Sequence, residues 1–200
     1  MLSDNLEKFI QEQINKISRN LIYKLEPYDR MILYNIFSDN QAFSEKYFPW
    51  LGILSAKQLI SVWTNEYPEI KPPKIFLETA ELIMLGKESL ESGNQVANDG
   101  WEWLEKTGTQ INSISAFYSA ASSLTALLNV LEKKPFKDIV INENTVDDDL
   151  DPWSCDSTKW ASFAYANNPR SGKTKEENFS QFYLWWLKTA IPQAIKLAEK

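Results

Sequence analysis

A chain of 200 residues with 44% hydrophobic and 13% aromatic content holds enough apolar material for one well-packed domain and too little for two. It has no histidine and one cysteine, so the commonest general base, the commonest zinc ligand, the serine triad and the cysteine-histidine dyad are missing together. A formal charge of −6 and an isoelectric point near 4.9 argue against nucleic acid or an anionic membrane as partner, since both need clustered Lys and Arg, and favour a basic one.

Helical periodicity begins at the N-terminus, where Leu6, Phe9, Ile10, Ile14 and Ile17 recur at three- and four-residue steps behind a capping Ser3 or Asp4. Asp4, Glu7 and Glu12 stand where a secretory signal would be apolar, and Cys155 has no intramolecular disulfide partner, so the expectation is a cytosolic protein. Pro27 opens a second helix through Met31, Ile32 and Ile36 that ends near Ser38-Asp39-Asn40. Tyr47-Phe48-Pro49-Trp50 reads as a packed turn, with Ser55 capping a following helix that carries Leu59, Ile60 and Trp63.

Pro72-Pro73 forces a loop and starts the next helix, whose predicted stripe is Phe76, Thr79, Leu82, Ile83 and Gly86. A further helix with Val96, Ala97, Trp101 and Leu104 is weakened by Gly93 and Gly100. Thr107 to Leu131 has no charged residue, yet its many Ser and Thr hydroxyls suit a buried bundle helix better than a membrane span. There Ala116, Ser119, Ala120 and Ser123 would let neighbouring helices approach closely.

Ile139-Val140-Ile141 is the one strand-like run, too short to build a sheet. A helix from about Ser154 to Ala166 should place Trp160, Phe163 and Ala164 on one side, before Asn167-Asn168-Pro169 stops it. The last helix keeps its spacing throughout: Phe179, Phe182, Tyr183, Trp186, Leu187, Ala190, Ile191, Ala194, Ile195 and Ala198. Pro192 inside it removes one backbone donor and should kink the helix near Lys188. The sum is a single all-α domain over residues 1–200, a bundle of about seven or eight helices with negligible β structure.

Two motifs invite chemistry. Arg170-Ser171-Gly172-Lys173-Thr174 ends like a phosphate-binding loop but has Asn167 where its first glycine belongs and a helix where the preceding strand should be, so it reads as a basic interhelix loop. The acidic run Asp147-Asp148-Asp149-Leu150-Asp151 begins with calcium-loop spacing, but Pro152 occupies the glycine position and Thr158 that of the bidentate Glu. It also spells the Asp-Asp-x-x-Asp of magnesium-dependent all-α enzymes acting on diphosphates, an alternative function that lacks a second acidic cluster. The remaining reading is a solvated acidic surface, inert or used to meet a basic partner. Asp147, Asp148, Asp149 and Asp151 beside Trp153 have the composition of an interface, and Trp185 and Trp103, off the helical stripes, are further candidate anchors. No catalytic or metal-binding residue and no cofactor is expected.

Asp149-Leu150-Asp151-Pro152-Trp153, Asp156, the Trp160 to Ala166 segment Trp-Ala-Ser-Phe-Ala-Tyr-Ala, and Phe179 to Ala194 together resemble the fifth family of bacterial polymorphic-toxin immunity proteins. The resemblance implies a mostly α-helical protein, encoded beside a toxin gene and binding the toxin, often a nuclease. On that expectation the chain neutralises a basic toxin domain stoichiometrically and contacts neither nucleic acid nor membrane.

Overall fold

A computed structural model describes residues 4–37, 39–107, 114–133, 141–150, 156–168 and 171–200. Ile139, Val140, Asp151, Trp153 and Cys155 lie outside these residues. Among those described there is no strand, and the architecture is the all-α bundle that the periodicity predicts.

The helices are α1 Asp4–Ser18, α2 Pro27–Tyr34, α3 Gln41–Lys57, α4 Ile60–Glu66, α5 Pro72–Met84, α6 Leu90–Thr107, α7 Ile114–Leu131, α8 Ser157–Ala166, α9 Lys175–Trp185 and α10 Ile191–Ala198. By length and composition α7 could cross a membrane. Here it is the centre of the bundle, packed by α3, α5, α6 and α8. The small residues do what their size allows. Ser119 Oγ donates to Ser157 O at 2.9 Å, Ser157 Oγ reaches Gly52 O at 3.0 Å, and a Cβ at Gly52 would sit 3.6 Å from that of Ser157. Backbones of α3, α7 and α8 therefore meet along a seam of Gly52, Ser119, Ser123 and Ser157, whose hydroxyls are satisfied inside the core.

Several local readings are corrected. Tyr47-Phe48-Pro49-Trp50 is no turn: α3 runs unbroken through Pro49, with Tyr47, Pro49, Trp50 and Leu51 buried. Burial on that scale outweighs the backbone bond that proline removes. Ser55 caps nothing. It lies inside α3, donates to Leu51 O at 2.8 Å and pairs with Thr158 Oγ1 at 3.1 Å. Gly93 and Gly100 do not weaken α6 but let it dock, because a Cβ at Gly93 would collide with Ile83 and Leu128, and one at Gly100 with the Phe76 ring. On α5, Phe76, Thr79 and Ile83 are buried as predicted, whereas Leu82 is exposed. The buried face of α8 consists of Ser157, Thr158, Lys159, Ala161, Ser162, Ala164 and Ala166 rather than its aromatics.

The last helix buries its stripe from Phe179 to Ala198, except for half-buried Ile195. Between α9 and α10 the rod passes through a π-helical turn, Trp186–Ala190, in which Ile191 N–H bonds to Trp186 O. That wider turn, just before Pro192, is the irregularity that the structure places where a kink is expected near Lys188.

Candidate functional site

The acidic run folds as a 3-10 turn, Asp147–Asp149, opened by Val146, whose N–H is accepted by the Asp149 carboxylate at 3.0 Å. Asp148 and Asp149 are exposed. Asp147 is not: its side chain retains 1% of its accessible surface, which overturns its reading as part of a solvated face.

Asp147 is buried because Arg30 is waiting for it. Arg30 occupies the inward face of α2, three residues after buried Pro27 and three before buried Leu33, and is itself fully withdrawn from solvent. Each guanidinium nitrogen is hydrogen-bonded. Nη2 donates to Asp147 Oδ1 at 2.6 Å and Asp156 Oδ2 at 2.8 Å, Nε to Asp156 Oδ2 at 3.0 Å, and Nη1 to Leu25 O at 2.7 Å and Tyr183 Oη at 3.3 Å. The second Asp147 oxygen accepts from Lys24 Nζ at 3.2 Å.

Asp156 links this cluster to α8. Its Oδ1 accepts from Lys159 N at 2.9 Å, capping the helix, and from Tyr34 Oη at 2.7 Å. Burial alone would raise its pKa, but Arg30 outweighs that, with the bonds from Lys159 N–H and Tyr34, and holds the carboxyl below its ordinary value. Burial pushes the Tyr34 and Tyr183 hydroxyls up, so both remain proton donors. Burial also lowers the Lys159 ammonium, which donates to Asp147 O at 2.7 Å and stands 5.0 Å from the centre of the Trp160 ring. Lys24 is partly desolvated, yet Glu26 and Asp147 more than compensate and raise its pKa.

Lys24, Arg30 and Lys159 thus oppose Glu26, Asp147 and Asp156, a balanced network whose buried members are Arg30, Asp147 and Lys159 and whose Lys24 and Glu26 reach the surface. The network holds the irregular segment 141–150 against α2, α8 and α9. It also removes a premise of the diphosphate-enzyme reading, because the first carboxylate of the Asp-Asp-x-x-Asp pattern already serves Arg30 and Lys24. Among the described residues no group of three or more Asp, Glu or Cys is placed to hold a metal.

The other sequence candidates separate. Trp185 is half-buried with its ring 5.7 Å from that of Phe182. Tyr183 faces Arg30, and Trp185, two residues on, is turned by about 200° around the helix, so the structure does not bring it beside the acidic turn. Trp103 stacks on Phe117 at 5.7 Å and meets Trp63 edge-on at 6.2 Å, which makes it part of an internal aromatic cluster. Gly172-Lys173-Thr174 is a helix start: Gly172 has φ 66°, and Thr174 and Glu177 form a reciprocal capping box. Asp151 and Trp153 fall outside the described residues.

Sequence reasoning missed Arg30 and named Asp156 only as part of a resemblance, without a structural role. A signal existed for each: a charge at the inward register of an amphipathic helix, and an Asp immediately before a helix.

The fold and its buried charges define a small all-α domain whose ion network serves its own packing. The chain belongs to the Imm5 family of immunity proteins, whose family model matches residues 10–193. No curated protein matches it.

Proposed function

We propose that the chain is a cytosolic immunity protein that silences a cognate toxin domain by stoichiometric binding, and that the toxin is a nuclease with a basic substrate groove. Family membership over residues 10–193 carries this reading. The net charge of −6 supports the finer part, because an acidic protein competes with nucleic acid for a basic surface. Asp148 and Asp149, exposed on a turn that the Arg30 network anchors, are the contact residues that the acidic run supplies. Such a protein needs neither catalytic residue nor cofactor.

Expressing the toxin encoded beside this gene in a sensitive host, with and without the chain, tests the proposal. Growth restored by the chain, with a one-to-one complex on co-purification, is the expected result. Equal arrest in both strains rejects it.

A further inference from the structure

Resting on that reading, we infer that the toxin docks on the face formed by the loop after α1 and the acidic turn, with Leu21 and Tyr23 as apolar anchors inside a carboxylate rim. Leu21 keeps 68% of its surface, Tyr23 46% and Val146 43%. Leu21 is held in place. Asn20 adopts a left-handed conformation at φ 55°, and Leu21 N–H returns to Lys16 O at 2.9 Å, closing the helix so that the leucine is fixed outward. The Tyr23 ring packs 6.0 Å from that of Phe179, and Tyr23 O accepts from Ser180 Oγ at 3.4 Å. Between residues 20–23 and the start of α9 lies a groove of about 540 Å³, with Lys173, Glu176 and Glu177 on its far wall.

Lys24 joins the two halves of the face. Its ammonium lies 3.0 Å from Glu26 and 3.2 Å from Asp147, so the loop is stitched to the turn bearing Val146, Asp148 and Asp149. Exposed leucine and tyrosine beside a charged rim match the anatomy of protein interfaces, in which apolar anchors supply affinity and charges steer encounter.

The charge selects the occupant. Asp148, Asp149, Glu176 and Glu177 outnumber Arg19, Lys173 and Lys175, while Lys24 and Glu26 neutralise one another within the fold. The other exposed apolar row, Ile75, Leu82 and Leu85 on and after α5, lies among Lys71, Lys74 and Lys87 as well as Glu78, Glu81 and Glu88, and offers no net sign. A basic protein surface therefore fits the first face and gains nothing at the second. A second copy of this chain would set carboxylates against carboxylates. The Arg30 network fixes the turn beforehand, so little ordering cost accompanies binding.

The test measures binding of the full chain to a catalytically inactivated form of the neighbouring toxin domain. Leu21→Ala with Tyr23→Ala should weaken the complex by about thirtyfold or more, mostly through faster dissociation. Asp148→Asn with Asp149→Asn should slow association at low salt and converge on wild type at high salt. Leu82→Ala with Leu85→Ala should bind as wild type. Leu21→Ala alone, at an exposed site, provides the test if the Tyr23 change disturbs packing on Phe179. Wild-type binding that survives both the Leu21 and the Asp148/Asp149 changes overturns the docking face and leaves the immunity reading standing. Absence of wild-type binding overturns the immunity reading itself. Dimerisation of the free chain abolished by Leu21→Ala would assign the face to a second copy and overturn the basic occupant.

Discussion

The guanidinium of Arg30 and the carboxylate of Asp147 meet at 2.6 Å with 0% and 1% of their side-chain surface exposed, joining α2 to the acidic turn across most of the chain. Breaking a buried pair by removing one partner typically costs about 3 to 5 kcal/mol, and here Arg30 keeps Asp156, which places the expected cost near the lower bound. Asp147→Asn should therefore lower stability by about that amount. Asp148→Asn, one residue away at the surface, should change it by less than about 0.5 kcal/mol. Denaturant melts of the two variants give the comparison, and equal midpoints would contradict the burial of Asp147.

Acid should loosen the same network. The folded-state pKa of Asp156 is depressed by Arg30, so its contribution is present above the unfolded carboxyl value and is lost as pH falls through the folded one. Stability should hold near neutrality and decline as pH drops below about 4. Asp156→Asn keeps a helix-capping side chain but carries no titratable group, and should flatten part of that decline. Urea melts across this range check it, and acid slopes that match in both proteins would refute the assignment.

Adjacent tryptophans on the last helix should behave differently. Trp186 is fully buried, and its indole N–H donates to Ser55 Oγ at 3.1 Å. Its replacement by Ala should cost about 3 to 5 kcal/mol, whereas Trp185→Ala, emptying a half-buried site, should cost clearly less. Thermal unfolding separates the two. Similar losses would mean that the final helix is enclosed on every side.

Gly100 tests whether glycine in α6 serves packing. Alanine is the better helix former by about 1 kcal/mol, so an unpacked site would gain stability on substitution. Here the added methyl would run into the Phe76 ring. Gly100→Ala should instead be destabilising by about 1 to 3 kcal/mol, the usual cost of overfilling a close-packed interior. A raised melting temperature would show that the ring yields freely.

Features that depend on neighbours along the chain are legible in the residues alone. The stripes of α1 and the last helix, the starts of α2 and α5 at proline, the close approach of α7 through Ser119 and Ser123, and the backbone distortion before Pro192 follow from local spacing and sterics. Tertiary structure decided what depends on partners far away in sequence. Pro49 stays inside α3 because the surrounding residues gain more by burial than one lost backbone bond costs. The glycines of α6 are useful only because Phe76, Ile83 and Leu128 arrive from other helices. The acidic run shows the division most clearly. Four aspartates in five positions carry the same chemistry on paper, and Asp147 leaves the solvent only because Arg30 and Lys24, more than a hundred residues earlier, stand ready to neutralise it. Charge burial is a property of pairs, and no local pattern names the distant member of a pair.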